Sequence, residues 1–306
     1  MGAMPLSMLK RCGFKSTVKS KNKNDKGKNK MSIIETKIEI GVKKPFRVVH
    51  ISDTHLTYAD MRDGERKVAL AERRSQYFKE AEDTLALAAE TAKRYDAPIL
   101  HTGDLSDFVS VANLERVKQY VEKTDLFMAA GNHEFSLYVG EAKEDAAYRN
   151  QSLAKVQAVY RNDIRASSRT VEGVNFIALD NGYYQFDAEV LAFLKKEVEK
   201  GLPIVLMMHT PLYEPALYQK ALGAKKKGSA YLIDVSEELM ERDYDPRHFA
   251  QKADAVTHEI VEYIVSQPLI KAIISGHLHF DFESKVADRI SQVVTSCTTV
   301  RVIEFV

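Results

Sequence analysis

Five short apolar runs in this chain each stop at a cluster of side chains suited to binding metal ions. Residues 47–51 lead to Asp53 and His55, residues 98–100 to Gly103 and Asp104, and residues 126–128 to Gly131, Asn132, His133 and Glu134. Residues 204–207 lead to His209, and residues 272–274 to Gly276, His277 and His279. Each run has the length and β-branched bias of a buried strand. Side chains just past the carboxyl ends of neighbouring strands meet in one crevice. The fold is therefore constrained to gather five strand ends. Two carboxylates, an amide and several imidazoles suit a pair of divalent ions, and such a pair suits hydrolysis of a phosphate ester.

The clusters differ in what they offer. Asp53 and His55 are two residues apart, so on an extended strand end both point the same way. Asp104 follows a glycine that permits a sharp turn and close approach. Its two oxygens can bridge ions about 3.5–4 Å apart, although an isolated Asp at a strand end is often just an Asx-turn. Asn132 is a neutral oxygen ligand. With two divalent ions, Asp53, Asp104 and a bridging hydroxide, the site keeps a charge of about +1, which attracts a phosphate. His133 points away from the ions if Asn132 points in. An imidazole titrating near neutrality suits a general acid for the leaving oxygen. Its second nitrogen is held either by Glu134 or by a carboxylate from a distant loop. His209, His277 and His279 are nitrogen ligands, and such mixed donors accept Mn, Fe, Zn or Ni.

Other residues receive plainer readings. His50 and His101 lie within strands, and His248 and His258 on polar segments. Asp180 and Asn181 are read as a structural turn. The pocket above the ions has Asn132, Arg62, Arg66, Tyr213, Tyr218 and Tyr231 as candidate substrate contacts. Lys225, Lys226 and Lys227 form a solvated loop or meet a substrate phosphate.

The chain has 306 residues, 45% apolar and 28% charged, enough for a real core. No run approaches the roughly 18 apolar residues of a membrane helix, and residues 1–14 lack the apolar core of a secretory signal. Cys12 and Cys297 sit far apart, which argues against a disulfide framework and for a reducing, cytoplasmic setting. Residues 1–30 carry nine Lys/Arg against one Asp, so a basic +8 leader precedes a body of −7. Residues 1–32 are expected to be a disordered basic leader and 33–306 a catalytic domain. The acidic body disfavours nucleic acid as substrate.

Strands are expected at residues 37–40, 46–51, 98–101, 125–130, 175–179, 203–208 and 270–274. Helices are expected across 60–95, 114–121, 143–160, 187–200 (Asp187 as N-cap) and 253–265. Residues 289–306 read as two antiparallel strands. This alternation implies an α/β fold with a mixed sheet and helices outside. The long irregular stretch 210–251, directly after His209, is a cap-like insertion over the substrate.

The blocks Asp-x-His, Gly-Asp, Gly-Asn-His-Glu, His and Gly-His-x-His, in this order over residues 46–282, resemble those of the calcineurin-like metallophosphoesterase superfamily. The resemblance implies a four-layer mixed β-sandwich flanked by helices. It implies two divalent or mixed-valence metal ions. One would be held by Asp53, His55, Asp104 and His279, the other by Asp104, Asn132, His209 and His277. His133 would be the catalytic histidine, with Asp104 bridging. Residues 51–56 and 103–107 are worded most like bacterial class III cyclic-nucleotide phosphodiesterases, but Glu134 replaces their usual Asp and Phe280 a frequent His. Gly103-Asp104 is not followed by the Asp-Arg-Gly of protein Ser/Thr phosphatases, and Asp107 stands where purple acid phosphatases have tyrosine. The expected activity is hydrolysis of a small phosphorylated substrate, a phosphodiester or a phosphomonoester, by a metal-bridging hydroxide with His133 as acid. The alternatives are a non-catalytic scaffold of the same fold, or a nuclease. Oligomeric state is left open.

Overall fold

A computed structural model describes residues 17–18, 31–141, 144–225, 231–242 and 252–306. In chain order the strands are β1 (Thr17–Val18), β2 (Ser32–Ile38), β3 (Phe46–Ile51), β4 (Ile99–His101), β5 (Leu126–Met128), β6 (Ala166–Val171), β7 (Val174–Leu179), β8 (Ile204–Met208), β9 (Ile270–Ser275), β10 (Phe282–Val286), β11 (Ile290–Val294) and β12 (Thr299–Phe305). The helices are α1 (Glu65–Ser75), α2 (Ala81–Tyr95), α3 (Val111–Lys123), α4 (Ala146–Asn150), α5 (Leu153–Gln157), α6 (Ala188–Val198), α7 (Pro215–Lys225), α8 (Glu237–Arg242) and α9 (Ala255–Ser266).

Two six-stranded mixed sheets stack face to face. One runs β1-β2-β12-β3-β4-β5, the other β10-β11-β9-β8-β7-β6. Val48, Leu100, Phe127 and Ile303 of the first meet Phe176, Val205, Met207 and Ile274 of the second in a buried layer. On the outer face of the first sheet, Leu85 and Ala88 of α2 and Val117 and Val121 of α3 cover Val49, Ile51 and Ile99. On the second, Leu191 and Leu194 of α6 and Ile260 and Ile264 of α9 cover Ile177, Leu206 and Ile273. The result is a helix–sheet–sheet–helix sandwich of four layers. Strands buried on both faces are mostly apolar, not alternating, which is why β8 shows as an unbroken run and β7 as one broken only by Asn175. β3, β4 and β5 run parallel to one another, as do β7, β8 and β9. Their carboxyl ends therefore open on one edge of the sandwich.

Local signals set the helix ends. Ser110 caps α3 by accepting from Asn113 N, and Asp254 caps α9 by accepting from Thr257 N. Asp187 occupies the N-cap position of α6 but makes no capping bond. Its carboxylate turns to Arg149 and Arg165, since an ion pair with two guanidiniums outweighs one amide.

Three expectations need correction. The two C-terminal strands do not pair with each other. β11 lies parallel to β9, whereas β12 crosses to the first sheet between β2 and β3. Both are buried along nearly their whole length, and a lone hairpin would leave one face in water. Strands β6 and β10 were not expected. They are the polar, half-exposed edge strands of the second sheet and carry no apolar run. The stretch 210–251 is not irregular throughout: its described residues include α7 and α8. Leu217, Tyr218, Leu232 and Met240 pack there with Leu278. The expected leader lies almost wholly outside the described residues, apart from β1, which pairs with β2. No helix among the described residues is long and apolar enough to cross a membrane.

Candidate metal centre

The loops at the ends of β3, β4, β5, β8 and β9 bring all seven expected donors together. Asp53, His55 and His279 offer ligand atoms within 4.8 Å of one another, and so do Asp104, His209 and His277. Asn132 joins the second group, its Oδ1 3.1 Å from His209 Nε2. Asp104 Oδ2 lies between the groups, 3.7 Å from His55 Nε2 and 3.2 Å from His209 Nε2.

The backbone is bent to achieve this. Asp53, His55, Asp104, His277 and His279 all adopt left-handed φ, between 50° and 66°. Each such residue costs about 1–2 kcal/mol, and strain of this kind gathers at functional sites. Hydrogen bonds hold the bends: Asp53 N donates to Gly103 O and His55 N to Asp104 O, both at 2.9 Å. Gly276 permits the closest approach, because a Cβ there would fall 2.2 Å from Asp53 Oδ2. Gly103 is likewise pressed against His209 and the Gly131 backbone.

Hydrogen bonding fixes which nitrogens face inward. His209 Nδ1 donates to Thr102 O at 2.7 Å, so a neutral ring turns the lone pair of Nε2 to Asp104, Asn132 and His277 Nδ1. The Asp104 carboxylate and the Asn132 oxygen are acceptors, and the role of His277 Nδ1 follows its tautomer. The Tyr184 hydroxyl lies 2.7 Å from His277 Nε2, on the far side of that ring. Asp53 Oδ1 is buried without a hydrogen-bond partner among the described residues. Carboxylate, amide and imidazole atoms converging in a buried crevice are what a cation satisfies, so the residues present fit metal ions.

The electrostatics agree. Despite burial, which opposes ionisation, hydrogen bonding by His279 holds Asp53 below the usual carboxylate range, and the charge of His209 does the same for Asp104. Burial would lower His209, but the Asp104 charge raises it to about 9. Burial likewise opposes His279, yet its bonds to Asp53 and Cys297 raise it to about 10. His277 is driven well below its ordinary value by burial and by His209. This field draws protons onto imidazoles, and a divalent cation binding there would displace them.

His133 stands beside this cluster, its ring edge-on to His55 at 4.7 Å. Its Nδ1 faces Asp107, 2.8 Å from the backbone oxygen and 3.1 Å from carboxylate Oδ1. Of the two partners left open by the sequence, the distant-loop carboxylate holds. Glu134 instead accepts from the backbone nitrogens of Asp104, Leu105, Ser106 and Gly131, tying two ligand loops together. Burial and the Asp104 charge raise Glu134 to about 7. For His133, burial is outweighed by Asp104 and Asp107, which raise it to about 9.

The other candidate residues have partners of their own. Arg62 is held by Asp60 and Glu115 in an exposed cluster, and Arg66 pairs with Glu141. Tyr213 packs edge-on against the buried Tyr218, 5.7 Å away. Tyr231 does reach the site, its ring 5.7 Å from that of His277. Asp180 is pinned by Arg149 and Arg165, and Asn181 exchanges two hydrogen bonds with the Thr210 backbone beside His209. His50 and His101 are buried and held low by desolvation. His258 pairs with Asp234, and His248 lies outside the described residues. Of Lys225, Lys226 and Lys227, only the backbone of Lys225 is described.

The sequence reading missed Arg74, Phe78 and Tyr184 at this site. Phe78 stacks on His55 with centroids 4.1 Å apart, and Arg74 grips Asp107. Arg74 lies in the last turn of α1 and Phe78 in the turn that follows, and nothing in their spacing marks them for a site. Asp107, three residues past Asp104, was noted within the block resembling class III phosphodiesterases and as a departure from the tyrosine of purple acid phosphatases, with no role given to it.

Comparison with known proteins gives the family of the chain. The family model described as calcineurin-like phosphoesterase matches residues 46–281. A dimetal phosphatase of Danio rerio is similar in structure, with 13% identity and a TM-score of 0.47 over 83% of this chain and 88% of that one. The phosphopantetheinyl hydrolase of Mycobacterium tuberculosis gives 11% and 0.38 over 85% and 89%. A 5′-nucleotidase of Candida albicans gives 13% and 0.38 over 83% of this chain, which spans under half of that protein (45%). No curated protein matches the sequence significantly. The chain belongs to the calcineurin-like phosphoesterase family, and with it to the metal-dependent hydrolases of phosphate esters.

Proposed function

We propose that the protein hydrolyses a small phosphate mono- or diester at a two-metal centre. Asp53, His55 and His279 would hold one ion, Asn132, His209 and His277 the other, and Asp104 both. The observation that carries this is the position of Asp104 Oδ2 between the two donor groups. When bound, the ions supply an activated water and offset charge on the phosphoryl oxygens.

The chain's own residues do the rest. Asn132 keeps one ligand neutral, so the site is not over-neutralised towards an anion. His133 has Nδ1 engaged with Asp107, which leaves Nε2 to protonate the departing oxygen. The described parts of 210–251 act as a cap, with Tyr231 beside His277 as its contact with the site. A small ester is favoured over a polynucleotide because residues 31–306 are net acidic.

The test is metal-stripped protein assayed with p-nitrophenyl phosphate and bis(p-nitrophenyl) phosphate after adding Mn²⁺, Fe²⁺, Zn²⁺ or Ni²⁺. Hydrolysis should appear with metal and vanish with chelator. Binding of two ions without turnover of either ester, or of any ester in a wider panel, would favour the scaffold reading.

A further inference from the structure

Asp107 is fully buried and serves two imidazoles at once. Its Oδ1 lies 3.0 Å from His55 Nδ1 and 3.1 Å from His133 Nδ1. The His55 contact is off-line, since His55 Nδ1 has no aligned hydrogen-bond partner among the described residues. His133 makes its aligned bond to the Asp107 backbone oxygen. The carboxylate plane is therefore set by neither histidine.

It is set by Arg74, at the carboxyl end of α1. Nε donates to Oδ2 at 2.6 Å and Nη2 to Oδ1 at 2.9 Å, a two-pronged grip that fixes both oxygens. The guanidinium is itself braced over Phe78 at 5.1 Å, and Phe78 stacks on His55. Arg74 is about one-fifth exposed and lies in the last turn of α1. It touches none of the seven metal-type donors directly.

Resting on the hydrolase reading above, we infer that Arg74 is a positioning residue for the general acid: it orients Asp107 so that His133 presents Nε2 to the leaving oxygen. Without the fork, the carboxylate swings to one imidazole or takes up water, and His133 Nδ1 keeps its backbone bond but loses the second hold on its ring, the Oδ1 charge 3.1 Å away. Arg74 enters the reaction only through that second hold. Its loss therefore weakens leaving groups that need a proton and spares those that do not.

The experiment compares wild type, Arg74→Gln and Arg74→Lys on p-nitrophenyl and ethyl esters of phosphate, with metal content and thermal midpoint measured alongside. For Arg74→Gln the ethyl ester should lose about 10–100-fold in kcat, the scale of a lost supporting contact. The p-nitrophenyl ester should change far less, with KM and metal content unchanged. Arg74→Lys keeps the charge without the fork and should recover only part of the loss. Equal losses on both esters, a raised KM, or loss of metal would overturn the inference, because Arg74 would then act on the scaffold, the substrate or His55. If wild type with metal hydrolyses neither ester, it is the hydrolase reading that fails.

Discussion

The two sheets contribute unlike halves of the site. The first supplies every oxygen donor, Asp53, Asp104 and Asn132, together with His55 and His133. The second supplies only imidazoles, His209, His277 and His279. The acidic half places negative charge in a buried crevice, and the imidazole half answers it. The consequence is visible in the coupled shifts of Asp104 and His209, one down and the other up. Neither sheet alone holds either of the two proposed donor sets, although His55, Asp107 and His133 of the first sheet form a third group that could hold an ion. The proposed two-metal site is complete only where the sheets stack.

Breaking the hinge between the halves should do most. Asp104→Asn is expected to abolish hydrolysis and leave less than full metal loading by elemental analysis. His209→Ala should remove one ion and keep the other. If it strips both, the halves are not separable. Next is His133→Ala, which lies on the acidic half but outside the donor set. It should lose about 10²-fold or more in turnover of alkyl esters while keeping its metal, and equal loss of metal would erase the distinction between acid and ligand. Phe176→Ala, in the layer between the sheets, should cost about 3–5 kcal/mol in denaturant unfolding. Its binding of metal should weaken too, if stacking and site assembly are coupled.

A smaller effect concerns pH. In metal-free protein, His133, His209 and His279 have values raised to about 9, 9 and 10. A raised histidine stabilises fully below its unfolded value of about 6.5, and that stability is lost as pH rises through the folded value. The thermal midpoint of the metal-free protein should therefore fall between pH 7 and about 10. The loaded protein should stay flatter, because bound metal replaces those protons. Parallel profiles would mean that the imidazole half does not answer the acidic one. Arg62→Ala should change stability by no more than about 0.5 kcal/mol and leave KM alone, since its partners Asp60 and Glu115 are exposed.

Much of the sandwich was legible because its central strands are buried on both faces. Residues 204–208 form an unbroken apolar run and 176–179 a shorter one, and both are interior. The edge strands β6 and β10 were not legible, since half-exposed strands read like loops. The pairing of β11 and β12 was misread for a related reason. Two adjacent apolar segments look like a hairpin until the sheets show that each has its own central slot. Among the site's side chains, those at strand ends were legible because the strand itself fixes where they emerge. Arg74 and Phe78 were not. Arg74 ends α1 and Phe78 follows in the turn before α2, and only the tertiary packing carries them to Asp107 and His55.

By itself the sequence determined which donors exist and that each lies at the end of a buried run, because strand burial and donor chemistry are both local properties. Only the tertiary structure decided their distances, the left-handed bends at five of them, and the choice of Asp107 over Glu134 as the partner of His133. Those depend on where separate segments meet. Glu134 is next to His133 in the chain, but its carboxylate is consumed by four backbone amides, three of which, from Asp104, Leu105 and Ser106, are its neighbours only in space.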